Sequence, residues 1–391
     1  MVSLLVAGFV DETVAFLPFG ALEPLRRDLD LSYAQGSILL ALYPGIGVVG
    51  GVFGVLADRG SRRVIAAGGA FGYAAGLLLF AGGTSFPMLV VAIALMGFAG
   101  DALIRATDVA LVDVAGDRIQ LAVARATLLG TVGDLAGPAL LAACLTAGLG
   151  WRAAFVAGGL GMAAYGLLLA TQPLPAPHPL PVGADGSRRH SGVAEVIAVA
   201  RDRQVLRLGL LSALVDVFDE PFIAFAIAYL TVSRGQPAGV AILTAGVGLA
   251  GGVAAAAWAS RAERSAIAPS AVAALLLGGA ATILAAPHPI MAAAGAAGVG
   301  AAVNLAWISL EARVLTLNPG QAGTTSAVVS AVGQLAILVP LVAGVVADHG
   351  GVTQALLLYV AMAALFAVVN ARDRTPEPHH VPAEALRSPR G

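Results

Sequence analysis

Nine charged side chains occur in the middle of long apolar segments of this sequence. Eight are acids and one is an arginine: Asp11, Glu12, Asp101, Arg105, Asp108, Asp134, Asp216, Asp219 and Glu220. A charge in such a segment is rare and usually functional, because burying it without a partner is costly. Crowded carboxylates held away from water retain a proton near neutral pH, and they also attract cations. These residues therefore indicate either binding and release of protons or binding of a cationic small molecule.

Spacing places several of these side chains on shared helix faces. Asp101, Arg105 and Asp108 follow the i, i+4, i+7 pattern, so the arginine lies between two acids on one stripe. Arg105 either neutralises these neighbours or binds an anionic group of a substrate. Two more stripes arise in the same way: Asp216 with Asp219 and Glu220, and Asn304 with Trp307 and Glu311. We expect the nine charged residues, together with Asn304 and Glu311, to form a pathway for substrate or protons.

The segments that carry these charges are long enough to cross a membrane. Of the 391 residues, 58% are hydrophobic and 12% charged, and the mean hydropathy is +0.88. Soluble domains carry about 25% charged residues. Isolated strands leave backbone groups unpaired in lipid, so the segments are predicted to be helices. Twelve runs are predicted as spans 1 to 12, at about 3–24, 33–56, 64–82, 87–112, 122–148, 151–172, 206–230, 238–259, 266–286, 289–312, 323–347 and 351–371.

The remaining composition excludes several classes of function. The net charge is −1 and offers no basic surface for nucleic acid. The single cysteine, Cys144, excludes an internal disulfide and a cysteine metal cluster, and the six histidines fall in predicted loops or the tail. The sequence contains no H-E-x-x-H or G-x-S-x-G motif. We therefore predict neither an enzyme nor a bound cofactor or metal.

The arginines indicate how the spans are oriented. All 22 basic residues are arginine; 17 lie in loops on the side of the chain termini and 4 on the other side, namely Arg26, Arg27, Arg152 and Arg234. Cytoplasmic loops carry such an excess of positive charge. We therefore predict a multi-pass protein of the cytoplasmic (inner) membrane with both termini in the cytoplasm.

The chain also repeats itself. The segment 45–50 in span 2 matches 246–251 in span 8, both with the pattern G-x-G-x-x-G, and 132–136 in span 5 matches 332–336 in span 11. A looser echo of 9–12 in span 1 occurs at 218–220 in span 7. The glycines lie inside apolar helices without a preceding strand, which favours close helix packing over a dinucleotide site. The repeat predicts two homologous halves.

The predicted domain boundaries follow from this repeat. The first six-helix bundle covers 1–172 and the second covers 206–371. The segment 173–205 is rich in proline and polar residues and is predicted to be a cytoplasmic linker, with a short surface helix at 193–205. The polar tail 372–391 is predicted to be disordered.

The loop after span 2 carries a family resemblance. Its sequence at 54–63, G-V-L-A-D-R-G-S-R-R, resembles the signature loop G-x-L-A-D-R-x-G-R-R of the major facilitator superfamily, with Ser61 at a glycine position. The resemblance implies twelve transmembrane helices in two pseudo-symmetric six-helix bundles. It also implies that the loop is a gate, whose aspartate interacts with the neighbouring half and stabilises the outward-facing state. The gate residues by this resemblance are Gly54, Asp58, Arg59, Arg62 and Arg63.

A second resemblance lies in span 5. Gly133, Gly137 and Pro138 match the core of G-x-x-x-G-P-x-x-G-G, a motif of the superfamily's antiporters, although Leu141 and Ala142 replace the final glycines. The resemblance implies export in exchange for an ion. The alternative is a proline-kinked helix without that function.

The family resemblance also implies a function for the buried acids. In the superfamily helices 1, 4, 7 and 10 line the central cavity, and most of the charges here fall on those spans. We expect a monomeric secondary transporter that moves a small molecule by alternating access, coupled to protons, in the direction of efflux. The alternatives are uptake of a metabolite such as an organic acid or sugar, movement of lipids, or a sensor that does not transport.

Overall fold

The computed structural model describes residues 1–47, 61–115, 119–174, 193–261, 268–317 and 322–371. Within these ranges the chain is helical, with short turns between helices and no strand. The predicted all-α fold is confirmed. The predictions for Gly54, Asp58 and Arg59, for most of the linker and for the tail lie outside the described residues.

The helices of the first half match the predicted spans closely. They run Val2–Gly20, Leu22–Leu29, Tyr33–Gly47, Arg62–Ala81, Phe86–Ala115, Ile119–Thr146 and Trp151–Thr171. The short helix Leu22–Leu29 directly follows the helix of span 1. The second half opens with the short helix Val193–Ala200 and continues with Arg203–Asp216, Glu220–Val232, Ala238–Arg261, Pro269–Ala285, Pro289–Leu317, Ala322–Gly333, Leu338–Gly350 and Val352–Ala371.

Nine helices of the described ranges are long and apolar enough to cross a membrane. They correspond to predicted spans 1, 3, 4, 5, 6, 8, 10, 11 and 12. Of the other three, span 2 is described only as far as Gly47, span 9 is a helix of 17 residues, and span 7 consists of two shorter helices. The number twelve stays a prediction.

Spans 7 and 11 are interrupted near their middles. In span 7 the helix ends at Asp216 and a new one begins at Glu220, just before Pro221. Proline lacks an N–H and disfavours helical geometry in the residue before it, which accounts for the break. In span 11 the segment Gln334–Ile337 forms a turn of 3-10 helix. Interruptions of this kind make backbone groups available at the depth where transporters hold their cargo.

Glycines hold neighbouring helices close together in both halves. A Cβ on Gly133 would lie 2.5 Å from the carbonyl oxygen of Phe9, and one on Gly137 would lie 2.7 Å from that of Thr13, so span 5 packs directly on the backbone of span 1. In the second half, Gly248 of span 8 packs in the same way on span 10. The prediction that the glycine pattern of span 8 serves helix packing is confirmed.

The glycines that repeat between spans 5 and 11 pack on spans 1 and 7. A Cβ on Gly133 would lie 3.1 Å from the Cβ of Glu12, and one on its counterpart Gly333 would lie 3.3 Å from Oδ2 of Asp216 and 3.5 Å from Oγ of Ser212. The looser echo of 9–12 at 218–220 stays a prediction.

We call the end of the protein where span 1 finishes and span 2 begins the far end, and the end where span 1 begins the near end. The two halves meet at the far end. Gly239 and Gly246 of span 8 pack against the second half of span 5. Span 2 packs against span 11, where Asp348 accepts a hydrogen bond from the N–H of Tyr33. The described structure is therefore closed at the far end.

We predict that Gly137→Leu destabilises the first bundle by about 1–3 kcal/mol, because the added side chain has to displace the backbone of span 1. The thermal midpoint in detergent, followed by fluorescence-detected size-exclusion chromatography, measures this effect. Gly161→Leu is the matched control, since a Cβ at Gly161 meets open space. Equal midpoints for the two variants would contradict the packing described.

Candidate functional site

A cavity of about 290 Å³ lies between the two halves. Spans 1 and 5 line it from one side, and spans 7, 8, 9 and 10 from the other. Its polar lining consists of Glu12, Thr131, Asp134, Asp219, Glu220, Asn304 and Trp307. Its apolar lining includes Phe16, Phe218, Phe222, Ile223, Leu249, Val253 and Val303. Four of the predicted acids are thus brought together, although they come from three spans and are up to 208 positions apart in the sequence.

The first acid pair consists of Glu12 from span 1 and Asp134 from span 5. The carboxyl groups lie within hydrogen-bonding reach of each other. Gly133 makes this approach possible, since a Cβ there would lie 3.1 Å from the Cβ of Glu12. Two carboxyl groups can share a hydrogen bond only when one carries a proton, so this pair can take up and release a proton.

The second acid pair consists of Asp219 and Glu220 at the interruption of span 7. Asp219 is the N-cap of the helix that begins at Glu220, and the two carboxyl groups lie within hydrogen-bonding reach of each other. A helix N-terminus has free N–H groups and a partial positive charge, which stabilise acids at this place. The break in span 7 therefore holds the second acid pair in the cavity wall.

The two acid pairs face each other across the cavity. The charge of Asp134 interacts with that of Asp219, and Glu12 interacts with both acids of the second pair. Among the described lining residues there is no arginine or histidine. If all four carboxylates were ionised, no described lining residue would compensate their mutual repulsion, which favours protonation of the acids or binding of a cation.

Asp11 does not reach this cavity, although it is adjacent to Glu12 in sequence. Its carboxylate points into the first bundle, where a Cβ on Gly100 would lie 3.7 Å from its Oδ1 and 3.0 Å from the ring of Tyr73. The hydroxyls of Tyr43 and Tyr73 are hydrogen-bonded at 2.6 Å. Adjacent residues of a helix point about 100° apart, which explains the separation of the acid doublet.

The charges of span 4 also lie outside the cavity. Arg105 Nε is 3.4 Å from Asp101 Oδ1, and the charge of Asp108 interacts with that of Arg105. The predicted stripe exists, and of its two interpretations the ion pair with Asp101 favours neutralisation. The side chain of Arg105 is 52% exposed, which limits the strength of the pair.

Three further predicted residues occupy different surroundings. Asp216 lies at the contact of spans 7 and 11, with its Oδ2 directed at Gly333 and its Oδ1 buried without a hydrogen bond. Asn304 lines the cavity and donates to the carbonyl of Gly300 at 3.2 Å. Glu311 is exposed and does not line the cavity.

Two groups of motif residues have structural contacts. Of the two described arginines of the predicted gate loop, Arg62 is buried and forms an ion pair with Asp113 of span 4, whereas Arg63 is exposed. Pro138 of the span 5 motif packs against Gly246 of the opposite half, where an added Cβ would lie 3.1 Å from the Cβ of Pro138. The span 5 motif thus lies where span 5 meets both span 1 and span 8.

The sequence analysis missed the aromatic and hydroxyl part of the lining. Phe16 follows Glu12 by one helical turn, and Thr131 precedes Asp134 by one turn. Spacing of i, i+3 and i+4 from the acids was the signal that could have identified them. Phe222 has the same spacing from Asp219, whereas Phe218 carried no such signal, because the interruption of span 7 changes which residues share a face.

Comparison with known proteins places this architecture in a family. The family model described as Major Facilitator Superfamily matches residues 4–218, which is more than half of the chain. A comparison with curated proteins found no match.

Solved structures show the same fold over nearly the whole chain. A bacterial homologue of the human lysosomal transporter Spinster, inward-facing and occupied, matches with a TM-score of 0.75 at 15% identity and 95% coverage of each chain. The nucleoside transporter NupG gives 0.74 at 16% identity, covering 95% of this chain and 97% of that one. A D-xylose–proton symporter gives 0.70 at 16% identity, covering 95% and 96%. The chain therefore belongs to the major facilitator superfamily and is a multi-pass membrane transporter rather than an enzyme.

Proposed function

We propose that this protein exports a small organic cation across the cytoplasmic membrane in exchange for protons. One observation carries the proposal. Each half contributes one acid pair to the same cavity, and none of the described residues in the cavity wall is basic. Carboxylates in such a place are stable when protonated or when a cation neutralises them. The four carboxyl groups of the cavity can adopt either state, protonated or neutralised by a bound cation.

Protons and the organic cation compete for these carboxylates, and this competition couples the movement of one to the movement of the other. A cation that enters the cavity favours the ionised form of the acids and so displaces protons. Protons that arrive from the opposite side neutralise the acids and displace the cation. Linkage makes this antagonism reciprocal, which is the requirement for exchange. With a proton gradient directed into the cell, exchange drives the cation outwards.

The rest of the lining supports an amphipathic cargo of modest size. The rings of Phe16, Phe218 and Phe222 offer an apolar surface next to the acids, and Trp307 provides a face for a cation–π contact. Ligand cavities commonly measure about 300–1,000 Å³, so a volume of about 290 Å³ favours a small molecule. A compact amine with an apolar body fits both features.

The direction of transport and the orientation of the protein in the membrane are supported by separate observations. The partial antiporter motif at Gly133, Gly137 and Pro138 contacts both span 1 and the opposite half, so it is placed to relate the first acid pair to movement between the halves. We propose that the near end and both termini face the cytoplasm, as the distribution of arginines indicates. We propose a monomer as the transporting unit, because both halves of one chain contribute acids to the described cavity wall.

We predict that Asp219→Asn and Glu220→Gln each reduce proton-driven transport by about tenfold or more, the equivalent of about 1.4 kcal/mol or more in the barrier. Each change removes a proton-binding group from the cavity while its shape is kept. The measurement uses purified protein in liposomes with a trapped pH dye and a panel of organic cations added outside. Glu311→Gln is the control of equal charge change outside the cavity. Unchanged dye responses in both cavity variants would refute proton coupling through this site.

We predict that binding of a quaternary ammonium compound weakens as the pH falls, by up to about tenfold per pH unit for each proton displaced. The sign follows because protons and the cation compete for Glu12, Asp134, Asp219 and Glu220. A quaternary ammonium has no proton of its own, so the dependence reports on the protein. Isothermal titration at a series of pH values measures it.

The neutral carbon isostere of the same compound tests the role of charge. It has the same shape with a tert-butyl group in place of the ammonium, and we expect no saturable binding. Binding of the isostere with equal affinity would show that shape alone determines recognition. Affinity for the cation that is independent of pH would remove the basis for exchange.

A further inference from the structure

The sequence at the end of span 11 repeats the predicted gate loop that follows span 2. Residues 344–351 read G-V-V-A-D-H-G-G, and residues 54–61 read G-V-L-A-D-R-G-S, so five of eight positions are identical. The two segments belong to different halves and are separated by an offset of 290 positions. In the sequence the first follows predicted span 2, whereas the second closes span 11 at the far end. Asp348 occupies the position of Asp58.

Asp348 makes a specific contact with the other half. Its Oδ1 accepts a hydrogen bond of 2.6 Å from the N–H of Tyr33, and its Oδ2 accepts one of 2.9 Å from the N–H of Ala34. Tyr33 and Ala34 are the first two residues of the span 2 helix. The N–H groups of a first helical turn have no partner within the helix and carry the positive end of its dipole. A carboxylate from the second half thus caps a helix of the first.

The glycines of the repeated segment have a role in this contact. Gly344 lies one helical turn before Asp348, and a Cβ there would lie 2.7 Å from the carbonyl oxygen of Tyr33 and still closer to Ser37. Only glycine lets the two helices approach so closely. Gly351 has φ +87°, in the left-handed region, and ends the helix just beyond Asp348. Both features place the carboxylate at the start of span 2.

The start of span 2 is itself held firmly. The hydroxyl of Tyr33 donates a hydrogen bond of 2.8 Å to Glu23, which is only 1% exposed. The guanidinium of Arg26 lies 4.3 Å from the centre of the Tyr33 ring and also bonds to Glu23. The N–H groups that Asp348 binds therefore have a fixed direction relative to the first half.

We propose that residues 344–351 are a second gate motif and that Asp348 keeps the far end closed. Alternating access requires spans 2 and 11 to separate at the far end when the cavity opens on that side. Asp348 then loses both N–H partners. The contact therefore stabilises one of the two conformations and not the other, which is the condition for shifting their ratio. This role does not depend on which molecule is transported.

The test measures the populations of the two conformations without any cargo. Paired spin labels replace Leu149 and Ile290, two exposed residues at the far end in different halves, in a Cys144→Ala background. A second pair replaces Val64 and Leu206 at the near end. Double electron–electron resonance in liposomes gives the distance distribution for each pair.

We expect Asp348→Ala to raise the ratio of far-end-open to far-end-closed molecules about tenfold, which corresponds to about 1.4 kcal/mol. The near-end distance should shorten in the same fraction of molecules. Asp348→Asn keeps an oxygen acceptor without the charge, so its effect should be smaller. Gly344→Ala should act in the same direction as Asp348→Ala for a steric reason.

The matched control is Asp30→Asn. Asp30 is an exposed acid at the same end, and its left-handed backbone suits asparagine equally well. No hydrogen bond from its side chain to the second half is found among the described residues. It should leave both distributions unchanged.

Two outcomes would overturn the proposal. One is a far-end distribution in Asp348→Ala that equals that of the parent or of Asp30→Asn. The other is widening at both ends together, which indicates lost packing instead of a shifted equilibrium. If Asp348→Ala does not fold, Asp348→Asn and Gly344→Ala decide between the same outcomes. Since no substrate or proton gradient is used, failure of the proposed cation exchange would leave this result unaffected.

Discussion

Repulsion among four carboxylates in one cavity is the constraint on which the rest of the structure depends. Glu12 and Asp134 face Asp219 and Glu220 across the boundary of the two halves. No described lining residue is basic, and protons or an entering cation would relieve this repulsion. In the exchange that we propose, the cost of keeping the site empty and ionised favours replacement of one occupant by the other.

Close packing and an interrupted helix make this arrangement possible. Gly133 and Gly137 bring span 5 onto the backbone of span 1, which places Asp134 beside Glu12. Pro221 stops the helix of span 7, so that a helix N-terminus faces the cavity at Glu220. Small residues and broken helices are common in membrane proteins because they allow close contacts and supply free backbone groups where lipid offers no water.

A carboxylate lies at a helix N-terminus at the far end of the protein as well. Asp219 occupies the N-cap position of the second helix of span 7 without a side-chain hydrogen bond to that helix, whereas Asp348 accepts hydrogen bonds from the first two N–H groups of span 2 across the two halves. A carboxylate on a helix N-terminus is strong enough to hold a conformation, yet weak enough to break when water replaces the N–H groups. In the cavity a helix N-terminus lies beside the second acid pair, and at the far end it receives a carboxylate from the other half, in a contact that we propose breaks during transport.

The amino-acid sequence by itself determined the helical membrane fold, the positions of most spans, the repeat and the acids of the cavity. Those features follow from hydropathy, from the need to pair backbone groups in lipid and from spacing along a helix, all of which act over short stretches of chain. The tertiary structure alone decided that Glu12 faces the cavity while Asp11 points into the first bundle, and that Asp216 lies against span 11. It also paired Glu12 with Asp134 and brought Asp348 to Tyr33. These outcomes depend on the packing register between helices, which is set by glycines and side chains far apart in the sequence.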